Sequence, residues 1–168
     1  MDAADDSAEL EIYLLRHAHA GDSSAWDGPD DERPLSPKGR RQAQNLGQFL
    51  ADRAFVADAV LSSPKVRARQ TAEIVADALG VGLTLDDRLA GAVDLDVLAA
   101  MLDGAGGTSV VLVGHDPDFT DLAMSLTGAA YLPMKKGALV RIDTALPIQP
   151  GAGILRWLLP PDLVADRL

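Results

Sequence analysis

The sequence predicts an α/β fold: a three-layer α/β/α sandwich around a mostly parallel central sheet. Three observations lead there. Short apolar runs, several of them β-branched, alternate along the chain with stretches of helical periodicity, the pattern of strands joined by crossover helices. Ser36-Pro37 and Ser63-Pro64 each read as an N-cap followed by proline at the first helical position. Hydrophobic residues make up 48% of the chain but aromatic residues only 4%. Ala, Val and Leu must therefore fill the core, which suits a sheet covered by helices. At 168 residues the chain is long enough to bury one good core.

Taken in order, residues 1–9 read as a short acidic tail and residues 10–168 as a single domain. A first strand is expected at about 11–16. The loop from His17 to Leu35 is rich in Gly, Asp, Ser and Pro and long for a compact domain, a length usual in functional or disordered loops. A helix follows to about Arg53, with Ala43, Leu46, Gly47 and Leu50 as its apolar stripe. The next strand, about 59–62, leads into a helix that starts at Ser63-Pro64 and stops at Gly80, a left-handed cap. A short strand is expected at 83–85 and a helix at about 94–102, closed by the Gly104-Ala105-Gly106-Gly107 turn. Ser109 to Val113 is continuous and β-branched, hence central. A helix from about Asp118 to Leu126 breaks at Gly128, and two last strands fall at about 138–143 and 154–158.

Composition narrows the function. A net charge of −10 excludes a general nucleic-acid binder, which carries a basic face. The absence of cysteine excludes thiol catalysis, disulfides and thiolate metal sites. The first residues are acidic and lack an apolar core, unlike a signal peptide. No apolar run approaches the roughly 18–20 residues that span a membrane. A cytoplasmic protein is expected.

Three expected strand ends carry polar chemistry: Arg16-His17, Ser62-Ser63-Pro64 and Gly114-His115. In open α/β sheets chemistry gathers beyond the carboxyl ends of the strands. A lone Arg-His or Gly-His dipeptide is usually structural; two such endings on parallel strands bring both imidazoles to one sheet edge. Arg67 is expected about one turn into its helix, where free backbone donors and the helix dipole favour phosphate and the guanidinium adds a matched fork of donors. By itself that basic run, with Lys65 and Arg69, reads better as a solvated helix face.

Together these residues resemble the histidine phosphatase superfamily, with the phosphoglycerate-mutase-like fold. The Arg-His-Gly hallmark stands here as Arg16-His17-Ala18. The second arginine motif stands as Ser62-Ser63-Pro64-Lys65-Val66-Arg67-Ala68-Arg69-Gln70-Thr71-Ala72, and the second histidine as Val113-Gly114-His115-Asp116-Pro117. The short chain, Ala18 and the run Arg33-Pro34-Leu35-Ser36-Pro37-Lys38-Gly39 look most like the small SixA-type phosphohistidine phosphatase branch. The resemblance implies a metal-independent phosphatase, without cofactor, in which His17 is the nucleophile and Arg16, Arg67 and His115 surround the phosphoryl oxygens. The implied partners are a phosphohistidine-bearing protein or a small phosphorylated substrate, with phosphate or another oxyanion in the pocket. His17 must be neutral at its attacking nitrogen, with the other nitrogen held by an acceptor such as a loop carbonyl near Gly21.

Two features depart from the pattern. Many members place an acidic residue after the second helix as general acid; here Leu85-Asp86-Asp87-Arg88-Leu89 puts Arg88 there, with Asp87 or Asp116 as candidate proton donors. That loss matters for an alkoxide leaving group and much less for an imidazole, whose conjugate acid has a pKa of about 6.5. His19 makes a His-x-His with His17, a zinc-binding spacing that supports an alternative, a metal-dependent hydrolase completed by His115, Asp116 or Asp118. A non-catalytic phosphoprotein-binding module is a third class, disfavoured by an intact His17. Arg33 either reaches the substrate or pairs with Asp30, Asp31 or Glu32. Lys135-Lys136 reads as a solvated edge or a docking contact for an acidic partner.

Overall fold

The structure, a computed structural model, describes residues 9–165. The expected tail therefore lies outside the described residues, except for Glu9, which belongs to the first strand.

Six strands form one sheet: β1 (Glu9–Arg16), β2 (Ala59–Ser62), β3 (Leu83–Leu85), β4 (Ser109–Gly114), β5 (Leu139–Ala145) and β6 (Ile154–Leu159). Their order is β3-β2-β4-β1-β5-β6. The β3-β2-β4-β1 pairings are parallel, whereas β5 runs antiparallel to both β1 and β6. Four helices cover the sheet: α1 (Pro37–Asp52), α2 (Val66–Leu79), α3 (Leu95–Gly104) and α4 (Asp118–Thr127).

The two-residue alternation of side chains along the strands divides the core. Ile12 and Leu14 of β1, with Val110 and Leu112 of β4, pack with Leu98, Met101, Phe119 and Leu122 of α3 and α4. Tyr13 and Leu15, with Val111 and Val113, pack on the other face with Leu46 and Leu50 of α1 and Ala68, Ala72 and Val75 of α2. Because both faces are covered, β4 is apolar at every residue from Val110 to Val113, as its sequence anticipates.

Helix α1 starts as expected: Ser36 Oγ accepts a hydrogen bond from the Gly39 amide (3.0 Å), and Pro37 is the first helical residue. A Cβ on Gly39 would sit 1.9 Å from the His19 carbonyl oxygen, so only glycine lets the loop after β1 lie on the helix. Helix α2 corrects the sequence reading. It begins at Val66, and Ser63 does not cap it; the Ser63 hydroxyl accepts from the Lys65 amide (3.2 Å) in a tight turn instead. Arg67 is therefore the second helical residue, nearer the helix N-terminus than expected. Short 3₁₀ turns at Ser23–Ala25, Asp30–Glu32 and Asp87–Ala90 were not anticipated, being too short to show a period.

Candidate active site

The strand register builds the site. Arg16 pairs with Gly114 and Ser62 with Val113, so β1, β2 and β4 end side by side. The pairing continues one residue further, with the His17 amide on the Gly114 carbonyl (3.0 Å) and the Ser63 amide on the Val113 carbonyl (3.0 Å). His17 and His115 thus leave neighbouring parallel strands at the same level, and their ring centroids lie 5.3 Å apart. Gly114 lets the turn close: a Cβ there would meet the Phe119 ring at 2.7 Å.

His17 Nδ1 lies 2.7 Å from the carbonyl oxygen of Ala18. A carbonyl only accepts, so Nδ1 carries the proton and Nε2 of the neutral ring keeps its lone pair. The orienting acceptor is thus a loop carbonyl, as expected, but that of Ala18 rather than one near Gly21. Burial pushes the His17 pKa down to about 3; the Ala18 bond opposes this, while His115, Arg67 and Arg16 add to it. Burial likewise lowers His115 to about 4, helped by Arg67 and Lys65 and opposed by Asp31 and Asp30. Both rings are neutral at pH 7.

Two arginines flank the rings. Arg16 donates from Nη1 to the Met134 carbonyl (2.7 Å) and pairs with Asp116 Oδ2 (3.3 Å). Arg67, buried near the start of α2, donates from Nη1 to the Asp30 carbonyl (2.8 Å) and pairs through Nη2 with Asp30 Oδ2 (3.1 Å). Burial lowers the Arg67 pKa and Asp30 counters it. Among the described residues four buried side-chain polar atoms lack a partner, and three of them are Arg16 Nε, Arg67 Nε and His115 Nδ1. Buried polar groups are nearly always paired, so this concentration marks a place built for an additional polar group.

The remaining sequence candidates fall into place by their contacts. Arg33 is buried, but its Nε bonds Asp30 Oδ1 (3.0 Å) and its Nη1 donates to the Ala20 carbonyl (2.9 Å). Of the two readings left open for Arg33, the pairing with a nearby acid is the one observed: Nε and Nη1 staple the loop to itself. Asp116 neutralises Arg16 and accepts from the Thr120 amide (3.1 Å) and hydroxyl (2.9 Å), a carboxylate occupied as counterion and helix anchor. Asp87 is exposed and makes no hydrogen bond or ion pair to the four site residues, and Arg88 turns back onto Asp86 (2.6 Å). The expected role of Asp87 as proton donor finds no geometric support. His19 Nδ1 bonds the Ser36 hydroxyl (2.6 Å). Among the described residues no group of three His, Asp or Glu side chains is arranged to hold a metal ion.

Sequence reading missed Ser63 as a site residue. Its hydroxyl lies 2.8 Å from His115 Nε2 and orients that ring. The Ser-Pro pair signalled a cap so strongly that the hydroxyl was assigned to the backbone. Thr71 has a similar part: its hydroxyl donates to the Arg67 carbonyl (2.7 Å) and accepts from the Ala18 amide (3.1 Å), tying α2 to the loop after His17.

Comparison with known proteins bears on this geometry. The sequence profile described as "Histidine phosphatase superfamily (branch 1)" matches residues 12–92. A protein of Picosynechococcus sp. without an assigned activity is 34% identical over 139 residues, covering 78% of this chain and 83% of that one. The chain belongs to the histidine phosphatase superfamily. A GpmB protein of Erwinia tasmaniensis, bearing the name "Probable phosphoglycerate mutase", is 39% identical over 85 residues, 48% of this chain and 37% of that protein. The present chain thus matches little more than a third of that relative's length. The protein histidine phosphatase SixA in complex with tungstate has a TM-score of 0.76 and 24% identity, over 92% of this chain and 99% of that one. The shared architecture is the phosphoglycerate-mutase-like fold. Family membership supports phosphatase activity with histidine-based chemistry.

Proposed function

We propose that the chain is a metal-independent phosphatase that works through a phosphohistidine enzyme intermediate at His17 and that its substrate is phosphohistidine on a protein. The observation that carries the first half is the fixed tautomer of His17, whose Nδ1 is committed to the Ala18 carbonyl (2.7 Å). Nε2 then attacks phosphorus, forming a P–N bond as the bond to the leaving group breaks and its electron pair departs with that group. Arg16, Arg67 and the neutral His115 stabilise the charge on the transferring phosphoryl oxygens. Water then attacks phosphorus, the P–Nε2 bond breaks and inorganic phosphate leaves.

The substrate class is supported by what occupies the region of the usual general acid: Arg88 paired to Asp86, with Asp87 exposed. An imidazole leaving group departs near neutrality without a strong donor, whereas an alkoxide does not. SixA, similar in fold, carries the name of a protein histidine phosphatase. A second reading, a small phosphomonoester as substrate, is favoured by the local identity to GpmB.

The test is phosphate release from a phosphohistidine protein and a panel of phosphomonoesters, with wild type and His17→Ala, with and without chelator. Chelator-resistant release that His17→Ala abolishes is expected, a loss of about 10⁴-fold or more for a removed nucleophile. Release that survives His17→Ala overturns the nucleophile. Preference for the monoesters moves the substrate to the second reading.

A further inference from the structure

We infer that a basic groove beside the phosphoryl site docks an acidic segment of the phosphoprotein substrate. The inference rests on the phosphatase reading above and adds a partner-binding surface to it. The groove, of about 690 Å³, is lined by Arg16, Lys38, Arg41, Lys135 and Lys136, with Asp162 as its one acidic wall residue among those described. In a chain of net charge −10 this is a concentrated reversal of sign. Most cations elsewhere on the described chain have carboxylate partners. Among the described residues, Lys38, Arg41, Lys135 and Lys136 have none.

The groove is built onto the site. Arg16 is a wall of both, and its guanidinium holds the Met134 carbonyl at 2.7 Å. Three residues on, the Gly137 amide donates to the carbonyls of both Arg16 (3.1 Å) and His17 (3.0 Å). The Lys135-Lys136 turn is thereby fastened to the backbone that presents the nucleophile. Gly137 makes this possible with a left-handed φ of +84°. Lys136 is half-buried, and its ammonium pKa falls through burial and the nearby Arg16, Arg33 and Arg67. A bound carboxylate would relieve that repulsion.

Shape selects the occupant. Lys38, Arg41, Gln42 and Asn45 follow one another at helical spacing on α1 and all line the groove. Lys38 to Asn45 spans about 10 Å at 1.5 Å per residue. A single carboxylate or phosphate does not reach across that length; an extended run of Asp and Glu does. The lining contains no aromatic ring on which a nucleobase would stack. The chain as a whole carries a net charge of −10 and repels an acidic partner, so a concentrated basic face both steers and orients it.

The test compares wild type with Lys38→Ala/Arg41→Ala, two exposed side chains outside the catalytic set. Binding of an unphosphorylated, fluorescent Asp/Glu-rich peptide is measured against an Asn/Gln-rich control and against tripolyphosphate. Turnover is measured on phosphohistidine peptides with the same two flanks and on p-nitrophenyl phosphate. Wild type is expected to bind the acidic peptide about tenfold more tightly, as a few rim ion pairs allow, with the advantage lost in the double variant and at high salt. Turnover of p-nitrophenyl phosphate is expected to stay unchanged. Equal binding of the two peptides, or undiminished binding by the double variant, overturns the groove. Binding of tripolyphosphate but not the acidic peptide also overturns it, in favour of a small polyanion. Selective peptide binding without turnover of any phosphohistidine peptide defeats the substrate reading and leaves the groove standing.

Discussion

The two halves of the candidate active site are held by different forces. Arg16, His17 and His115 stand at the ends of β1 and β4, where the sheet's own register, Arg16 opposite Gly114, brings them together. Their positions follow from backbone pairing and from an apolar core on both faces, Leu- and Val-rich on each. Arg67 is presented by a helix, but its guanidinium is held by Asp30, from a loop 37 residues earlier in the chain. Asp30 in turn is held by Arg33. The strand-end half rests on the sheet's backbone and a mostly buried Arg16–Asp116 pair (carboxylate 19% exposed), whereas the loop half depends on an ion pair whose carboxylate is half exposed (53%). Backbone order dominates the first; an exposed long-range ion pair sets the second.

Removing a charge from either half tests that contrast. Arg67→Ala is expected to lower kcat by about 10²–10³-fold, the usual loss for a donor that stabilises transition-state charge, with the fold intact by circular dichroism. Little loss would mean that the strand-end half suffices. A smaller effect is expected from Asp30→Asn, because exposed ion pairs contribute only about 0.2–1 kcal/mol. It should raise KM about two- to fivefold with kcat nearly unchanged, as Arg67 loses its brace. A fall in KM would instead reveal a carboxylate that competes with the phosphoryl group.

Acid should reach the strand-end half first as a loss of stability. His17 and His115 stay neutral in the folded chain down to about pH 3 and 4, but in the unfolded chain they take protons near pH 6.5. The unfolded chain thus binds more protons across that window. The stabilisation is fully present above about pH 6.5 and declines as pH falls through the window. The urea midpoint should be lower at pH 5 than at pH 7, and the difference should shrink in His115→Gln. In ¹H NMR the His17 and His115 ring signals should not titrate between pH 8 and pH 5; titration near 6.5 would contradict their burial.

The contrast also explains what could be read in advance. The four parallel strands, the alternation with helices and the helix-ending Gly80 and Gly128 were legible, since periodicity and caps are local signals. So was the meeting of His17 with His115, because parallel strands deliver their ends to one edge. Ser63 was misread, since its Ser-Pro context gives a local reason for a hydroxyl whose partner, His115, lies 52 residues away. Arg33 was undecided for the same reason: its Nε and Nη1 meet Asp30 and the Ala20 carbonyl only once the loop has closed.

By itself the sequence determined the fold, the family and the meeting of Arg16, His17 and His115 at one sheet edge, because these follow from short-range pattern and strand order. Tertiary structure alone decided which nitrogen of His17 is free, which carboxylate braces which arginine, and that Lys38, Arg41, Lys135 and Lys136 line one groove. Most of those facts depend on residues far apart in the chain, and the His17 tautomer on a backbone conformation that buries the ring against the Ala18 carbonyl. There a single hydrogen bond fixes a tautomer and one charge shifts the next.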